Sequence, residues 1–347
     1  MVIKPPGHPF EFPDYIEQAL KEFKDRDWTG KTMEDIIREY RSTFVTVPIC
    51  HIKMNKDTVI FRGRKNEGDK LFIQLDEIGL KPREKVTSLG RANIYGEPVF
   101  YACTNEETVA REVTQWYIND NGRAQDLYTR GLLGMGWSPF TSFMTISAWH
   151  VIEDLNLALL FNADDQKRSP AIQEFAAERK RPAKGQSDNY HKSFHLILDF
   201  FSNEFGKLDV KQELEYIYSA YYAYEIYHQT NTEFPSLKLD GVKYASIAND
   251  CRGENIAICE SSFKKKIAFL GANFCYTYNT HGRNIDGNKT AIIGRANSAI
   301  LKDDNSFEWI DSQEEIDYIV KVDNQYLPIT FPSDGSKFKK AVVRIGP

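Results

Sequence analysis

The chain has 347 residues, 41% of them hydrophobic, and a formal net charge of −5. That length and apolar content exclude global disorder and fit one large domain or two ordinary ones. The acidic balance argues against wholesale nucleic-acid binding. Five cysteines, an odd number with no Cys-x-x-Cys pair, argue against a disulfide framework or a thiolate zinc site.

Residues 1–12 are proline-rich and read as extended, without the apolar core of a signal peptide. From Pro13 to Tyr40 apolar residues recur at helical spacing (Ile16, Leu20, Phe23, then Met33, Ile36, Ile37, Tyr40), which predicts two helices. Phe44, Val45, Val47 and Ile49 give residues 42–54 a β pattern. Residues 58–62 read as a strand ending in Arg62, and 71–86 as a loop. A strand is expected at 98–102. A helix follows from Thr104, with Thr104 and Glu107 as its capping box and Val109, Val113, Trp116 and Tyr117 as its apolar face.

Residues 131–139 form a glycine-rich loop before a strand at 142–146 and a shorter element through Leu160. Between 165 and 235 the period changes. Three stretches, 171–181, 190–205 and 210–227, carry helical periodicity and read as a block inserted into a β-rich chain. Strands are expected again near 242–247, 255–259, 267–278, 291–300 and 316–332. No uninterrupted apolar run reaches membrane-spanning length, so a cytoplasmic protein is expected.

A few polar residues stand out. Glu112 lies three after Val109, which puts it at the edge of a buried helical stripe, where a carboxylate must find a partner. Arg91 sits in a loop after Gly90, a setting suited to phosphate contact, although a loop-stapling arginine is the commoner case. Arg62 and Arg64 flank Gly63. Ser246 lies on a strand and outside any G-x-S-x-G elbow, so a hydrolase nucleophile is not indicated. His191 and His195 are four apart, but no third ligand accompanies them and no metal site is expected. The run 264–266 and the acids Glu213, Glu215 and Glu225 read as helix surface.

The window 90–113 (Gly90-Arg91, Asn93, Gly96, Pro98, Tyr101, Glu107-Thr108, Glu112) resembles the central motif of the RES domain family, named for its Arg, Glu and Ser residues. Phe61-Arg62 resembles that family's earlier arginine, with Arg64 a competitor for the role. Tyr244-Ala245-Ser246 and Gly253-Glu254-Asn255 resemble its later serine and Gly-x-Asn segments, with Ala245 where proline is usual. The resemblance implies an α+β fold like that of ADP-ribosyltransferases. Its mixed, largely antiparallel core would span 56–347, interrupted by the helical block, after a helical extension over 1–55.

It implies an enzyme that degrades NAD+ by phosphorolysis or hydrolysis, with NAD+ as substrate rather than cofactor. Glu112, Arg62, Arg91 and Ser246 would be catalytic. Tyr101, Asn93, Arg64 and Asn255 would bind substrate, with positions 62, 91 and 112 around one cleft. It also implies a toxin partnered by an antitoxin protein, and self-association stays open. Two other readings remain: ADP-ribose transfer to a macromolecule, and a RES-fold module that binds a nucleotide or partner without turnover.

Overall fold

The computed structural model describes residues 7–44, 46–67, 70–114, 142–161, 170–179, 185–207, 210–228, 237–249, 251, 253–280, 290–311, 316–322 and 325–331. The fold is α+β with mixed strand pairing. The chain divides into two compact units: residues 1–58, 80–101 and 151–267 in one, and 59–79, 102–150 and 268–347 in the other.

In the first unit, strands β1 (His51–Met54), β5 (Leu155–Leu159), β6 (Gly241–Ala245) and β7 (Glu254–Cys259) lie side by side in that order. The β5–β6 pair is parallel and its neighbours are antiparallel. Gly241 is required there, because a Cβ would stand 2.1 Å from the carbonyl oxygen of Ala257 on β7. The helices are α1 (Pro13–Lys24), α2 (Met33–Phe44), α5 (Pro170–Arg179), α6 (Asp188–Phe205), α7 (Ile217–His228) and α8 (Glu260–Lys266).

The sequence set residues 1–55 apart from the block at 165–235, but both belong to one core. Tyr40 of α2 packs 4.8 Å from the Tyr221 ring of α7, and Phe23 of α1 lies 5.1 Å from Tyr218. Phe201 of α6 completes the cluster, 4.8 Å from Tyr222. The apolar stripes of these helices are aromatic on both sides, and each buries the other. Glu225, read as surface, is fully buried on α7 and paired with Arg41 at 3.0 Å. Lys266, read as a solvated face, reaches the buried Asp240 at 2.8 Å.

This core carries a pH signature. Burial pushes the phenols of Tyr40, Tyr221 and Tyr222 well above their ordinary value of 10.0, and that of Tyr218 up to about 12. Above pH ~10 the unfolded chain releases these protons while the folded one keeps them, so stability is intact below that pH and falls as pH rises beyond it. Tyrosinate absorbance is expected to rise in step with loss of far-ultraviolet circular dichroism between about pH 10 and 12. Titration of these four buried tyrosines, as distinct from exposed ones such as Tyr95, on a still-folded chain would contradict this.

In the second unit the strand order is β2 (Val59–Lys65), β4 (Ser142–Val151), β8 (Ile267–Thr280), β9 (Thr290–Leu301) and β10 (Phe307–Asp311), with the last two residues of β3 (Val99–Cys103) beside β2. The pairs β2–β3, β2–β4, β8–β9 and β9–β10 are antiparallel, and β8 carries a bulge at Phe274/Cys275. The stretch expected as one strand at 316–332 holds two antiparallel strands, β11 (Ile316–Val322) and β12 (Gln325–Phe331). Helices α3 (Leu75–Ile78) and α4 (Glu106–Thr114) complete the unit, α3 lying within the stretch read as loop. No helix among the described residues is long and apolar enough to cross a membrane.

Candidate functional site

Strand β2 is longer than expected, so Arg62 lies inside it rather than at its end. Pairing with β4 carries the strand on to Lys65, with Arg62 opposite Ser147 and Arg64 opposite Thr145. Alternation puts Ile60, Arg62 and Arg64 on one face and Phe61 and Gly63 on the other. Helix α4 lies against the second face. A Cβ at Gly63 would come within 2.5 Å of Val109 and 2.6 Å of Val113, so only glycine lets the helix approach.

On the opposite face Arg62, only 6% exposed, donates its Nε–H to the Ile78 carbonyl at 3.0 Å. Arg64 donates from Nη2 to the Gly79 carbonyl at 3.3 Å. Its Nε is buried and finds no acceptor among the described residues. Burial pulls its guanidinium below the usual 12.5, the direction expected for a cation short of partners.

Helix α4 is capped differently from the pattern. Asn105, not Thr104, takes the cap: its Oδ1 accepts from the Thr108 amide at 2.8 Å and the Thr108 hydroxyl at 2.7 Å. Glu107 pairs instead with the buried Arg111, at 2.8 Å, one turn on. Glu112 is half-buried on this helix. Trp116 and Tyr117, expected on its apolar face, and the 131–139 loop lie outside the described residues. Cys103 reports the local field. Its thiol is pushed well above the ordinary 9.0, first by burial and then by the Glu112 carboxylate, while Arg62 opposes the shift. Arg62 and Glu112, fifty residues apart, thus act on one buried atom.

Arg91, Asn93, Tyr101, Ser246 and Asn255 belong to the other unit. The Tyr101 hydroxyl accepts from the Ala92 amide and donates to Asn93 Oδ1, both at 2.8 Å. Asn93 Nδ2 returns to the Ser88 carbonyl at 3.1 Å, so this pair staples the loop. A Cβ at Gly90 would collide with the Asn93 side chain. Arg91 donates to the carbonyls of Phe205 and Lys207 (2.9 Å for the second), at the C-terminal end of α6, and its guanidinium lies 5.4 Å from the centre of the Tyr216 ring. Ser246 is fully buried in the turn after β6. Its amide donates to the Gly253 carbonyl at 2.9 Å, and its Oγ accepts from the Asn249 amide at 3.2 Å. Asn255 stands opposite Tyr244 on β7.

Arg62, Arg64, Cys103 and Glu112 thus lie in one unit, the two arginines on the face of β2 opposite the one that α4 covers, and Arg91 and Asn93 lie in a loop of the other unit stapled by Tyr101 of β3. Sequence reasoning missed the Glu107–Arg111 pair and the contact of Glu213 with the Arg91 loop, where Oε1 accepts the Leu89 amide at 2.5 Å. The i, i+4 spacing of Glu107 and Arg111 was readable. Nothing in the local pattern marks Glu213, which meets Leu89 across 124 positions. Among the described residues no group of three or more His, Cys, Asp or Glu side chains could hold a metal ion; the His191 and His195 rings pack edge to face, 4.5 Å apart.

No protein-family model matches the chain, and no curated protein matches it. Among solved structures the chain is similar to one in the M. tuberculosis MbcT–MbcA toxin–antitoxin complex. The identity is 9% and the TM-score 0.30, over 75% of this chain and 92% of that one. A likeness that faint carries no weight for fold or function, and the functional reading rests on the residues themselves.

Proposed function

We propose that the protein degrades NAD+ by cleaving the bond between nicotinamide and ribose, with phosphate or water as acceptor, and that it acts as a toxin restrained by an antitoxin. What supports this reading is that the motif residues Arg62 and Arg64 of β2 and Glu112 of α4 belong to one unit, in which α4 packs on β2 at Gly63. The motif in residues 90–113 supplies the substrate class.

The residue types suit the reaction. When the C1′–N bond breaks, its electron pair leaves with nicotinamide, which becomes neutral, and positive charge develops on the ribose. A fixed carboxylate beside that charge lowers the barrier without a second acid, because the pyridinium needs no proton to depart. Glu112 takes that role. The acceptor oxygen then bonds to C1′ and gives up its proton to solvent.

Between the two arginines of β2, Arg64 is the better grip for a phosphate. The Nε of Arg62 is already engaged by Ile78, whereas the buried Nε of Arg64 has no acceptor among the described residues. For Arg91, Asn93, Tyr101, Ser246 and Asn255, which belong to the other unit, binding or positioning roles follow from the motif alone. For Tyr101 the ring rather than the hydroxyl is left to meet a ligand.

Purified protein incubated with NAD+, with and without inorganic phosphate, should release nicotinamide measurable by chromatography. The phosphate dependence identifies the acceptor. Label carried from adenine-labelled NAD+ onto a macromolecule would point to transfer instead. A folded protein that releases no nicotinamide under any of these conditions would refute the proposal.

A further inference from the structure

The loop that carries Arg91 is gripped along its length by one helical segment of the same unit. At its start, the Leu89 amide donates to Glu213 Oε1 at 2.5 Å. At its middle, Arg91 reaches the last carbonyls of α6 and lies over Tyr216. The free carbonyls of a helix C-terminus carry partial negative charge, which suits a guanidinium. Further on, the Tyr95 phenol hydrogen-bonds the same Glu213 carboxylate, which raises its pKa. At the end, Glu97 pairs with His228 of α7 at 2.9 Å. Four attachments to residues 205–207 and 210–228 thus span residues 89–97, and Glu213 provides two of them.

We propose that residues 205–207 and 210–228 form a clasp that sets the conformation of the 86–97 loop, and that Glu213 is its positioning residue. The proposal rests on the reading of this loop as part of an NAD+ site, and it names what controls that site. Glu213 is exposed and sits in the short turn Glu213–Tyr216, so its carboxylate holds the loop without being part of the core. Releasing Glu213 frees the Leu89 amide, two residues before Arg91, and loosens the turn on which Arg91, Asn93 and Tyr101 are arranged. The helical block, which the sequence offers only as an insertion, thereby acquires a task at the loop.

The test compares wild type, Glu213→Ala and Glu213→Gln by hydrogen–deuterium exchange over residues 86–97 and by the kinetics of nicotinamide release. Glu213→Ala should speed exchange at Leu89 by about tenfold or more. It should raise KM for NAD+ by about threefold or more while kcat stays within about twofold. Glu213→Gln keeps an acceptor oxygen and should recover most of both effects. Unchanged exchange in Glu213→Ala overturns the clasp. Faster exchange with unchanged KM overturns its link to the site. Wild type that releases no nicotinamide defeats the NAD+ reading, and exchange alone then decides the clasp.

Discussion

Glu112→Gln is expected to lower nicotinamide release by about a hundredfold to a thousandfold, with little change in melting temperature. The substitution keeps the shape of the side chain and removes its charge. Removing a single preorganised electrostatic group costs about that factor in rate. Glu112 is half-buried near the end of the described part of α4, and the packing there comes from Val109, Ala110 and Val113. A neutral amide should therefore leave the fold standing. Its effect should fall on kcat rather than KM, because the carboxylate acts on charge that develops only as the bond breaks. Loss of the Glu112 charge also removes one influence that raises the Cys103 thiol. The variant can thus be checked independently: Cys103 should titrate at lower pH than in wild type.

Asp240→Ala is expected to be the most damaging single change to stability. Asp240 is fully buried and accepts three hydrogen bonds: from Ser262 Oγ at 2.6 Å, from the Asn156 amide at 2.8 Å and from Lys266 Nζ at 2.8 Å. These ties join the end of α8 to β5 and to the start of β6. Alanine would strand an amide, a hydroxyl and a lysine that is only 15% exposed. Breaking one partner of a buried ion pair costs about 3–5 kcal/mol. Chemical denaturation should show a loss of that order with an unchanged slope. A loss below about 1 kcal/mol would mean that the network contributes little beyond a surface pair. Asp240→Asn should fall between, since an amide oxygen still accepts one of the bonds while Lys266 loses its counter-charge.

The helices were legible wherever one side of the period was consistently apolar. Ile16, Leu20 and Phe23 on α1 and Ile36 and Tyr40 on α2 are buried as the spacing implied. Errors came where two periods compete. Phe44, Val47 and Ile49 suggest a strand, yet Phe44 is the last turn of α2, one turn beyond Tyr40, and only from His51 does the chain pair with β5. Helix α8 was read as solvated lysines because its inward contacts, Ser262 and Lys266 on Asp240, are polar and leave no apolar stripe. Strand β10 (Phe307–Asp311) was not among the expected strands.

The candidate site shows the same division. Its motif residues can be read from local pattern. Their partners cannot, because Arg91 meets Phe205 across 114 positions and Arg41 meets Glu225 across 184. Charge pairing over such distances leaves no periodic trace. Burial of Glu225 is likewise invisible in a helix with apolar residues on every face.

The central claim is that NAD+ is held with its reacting ribose at Glu112. Crystallography of the Glu112→Gln protein soaked with NAD+ addresses it most directly, since slowed turnover preserves the substrate. The expected map shows intact NAD+ with a ribose hydroxyl within hydrogen-bond reach of the substituted side chain. NAD+ bound on another surface, or no bound NAD+ at saturating concentration, would contradict the claim.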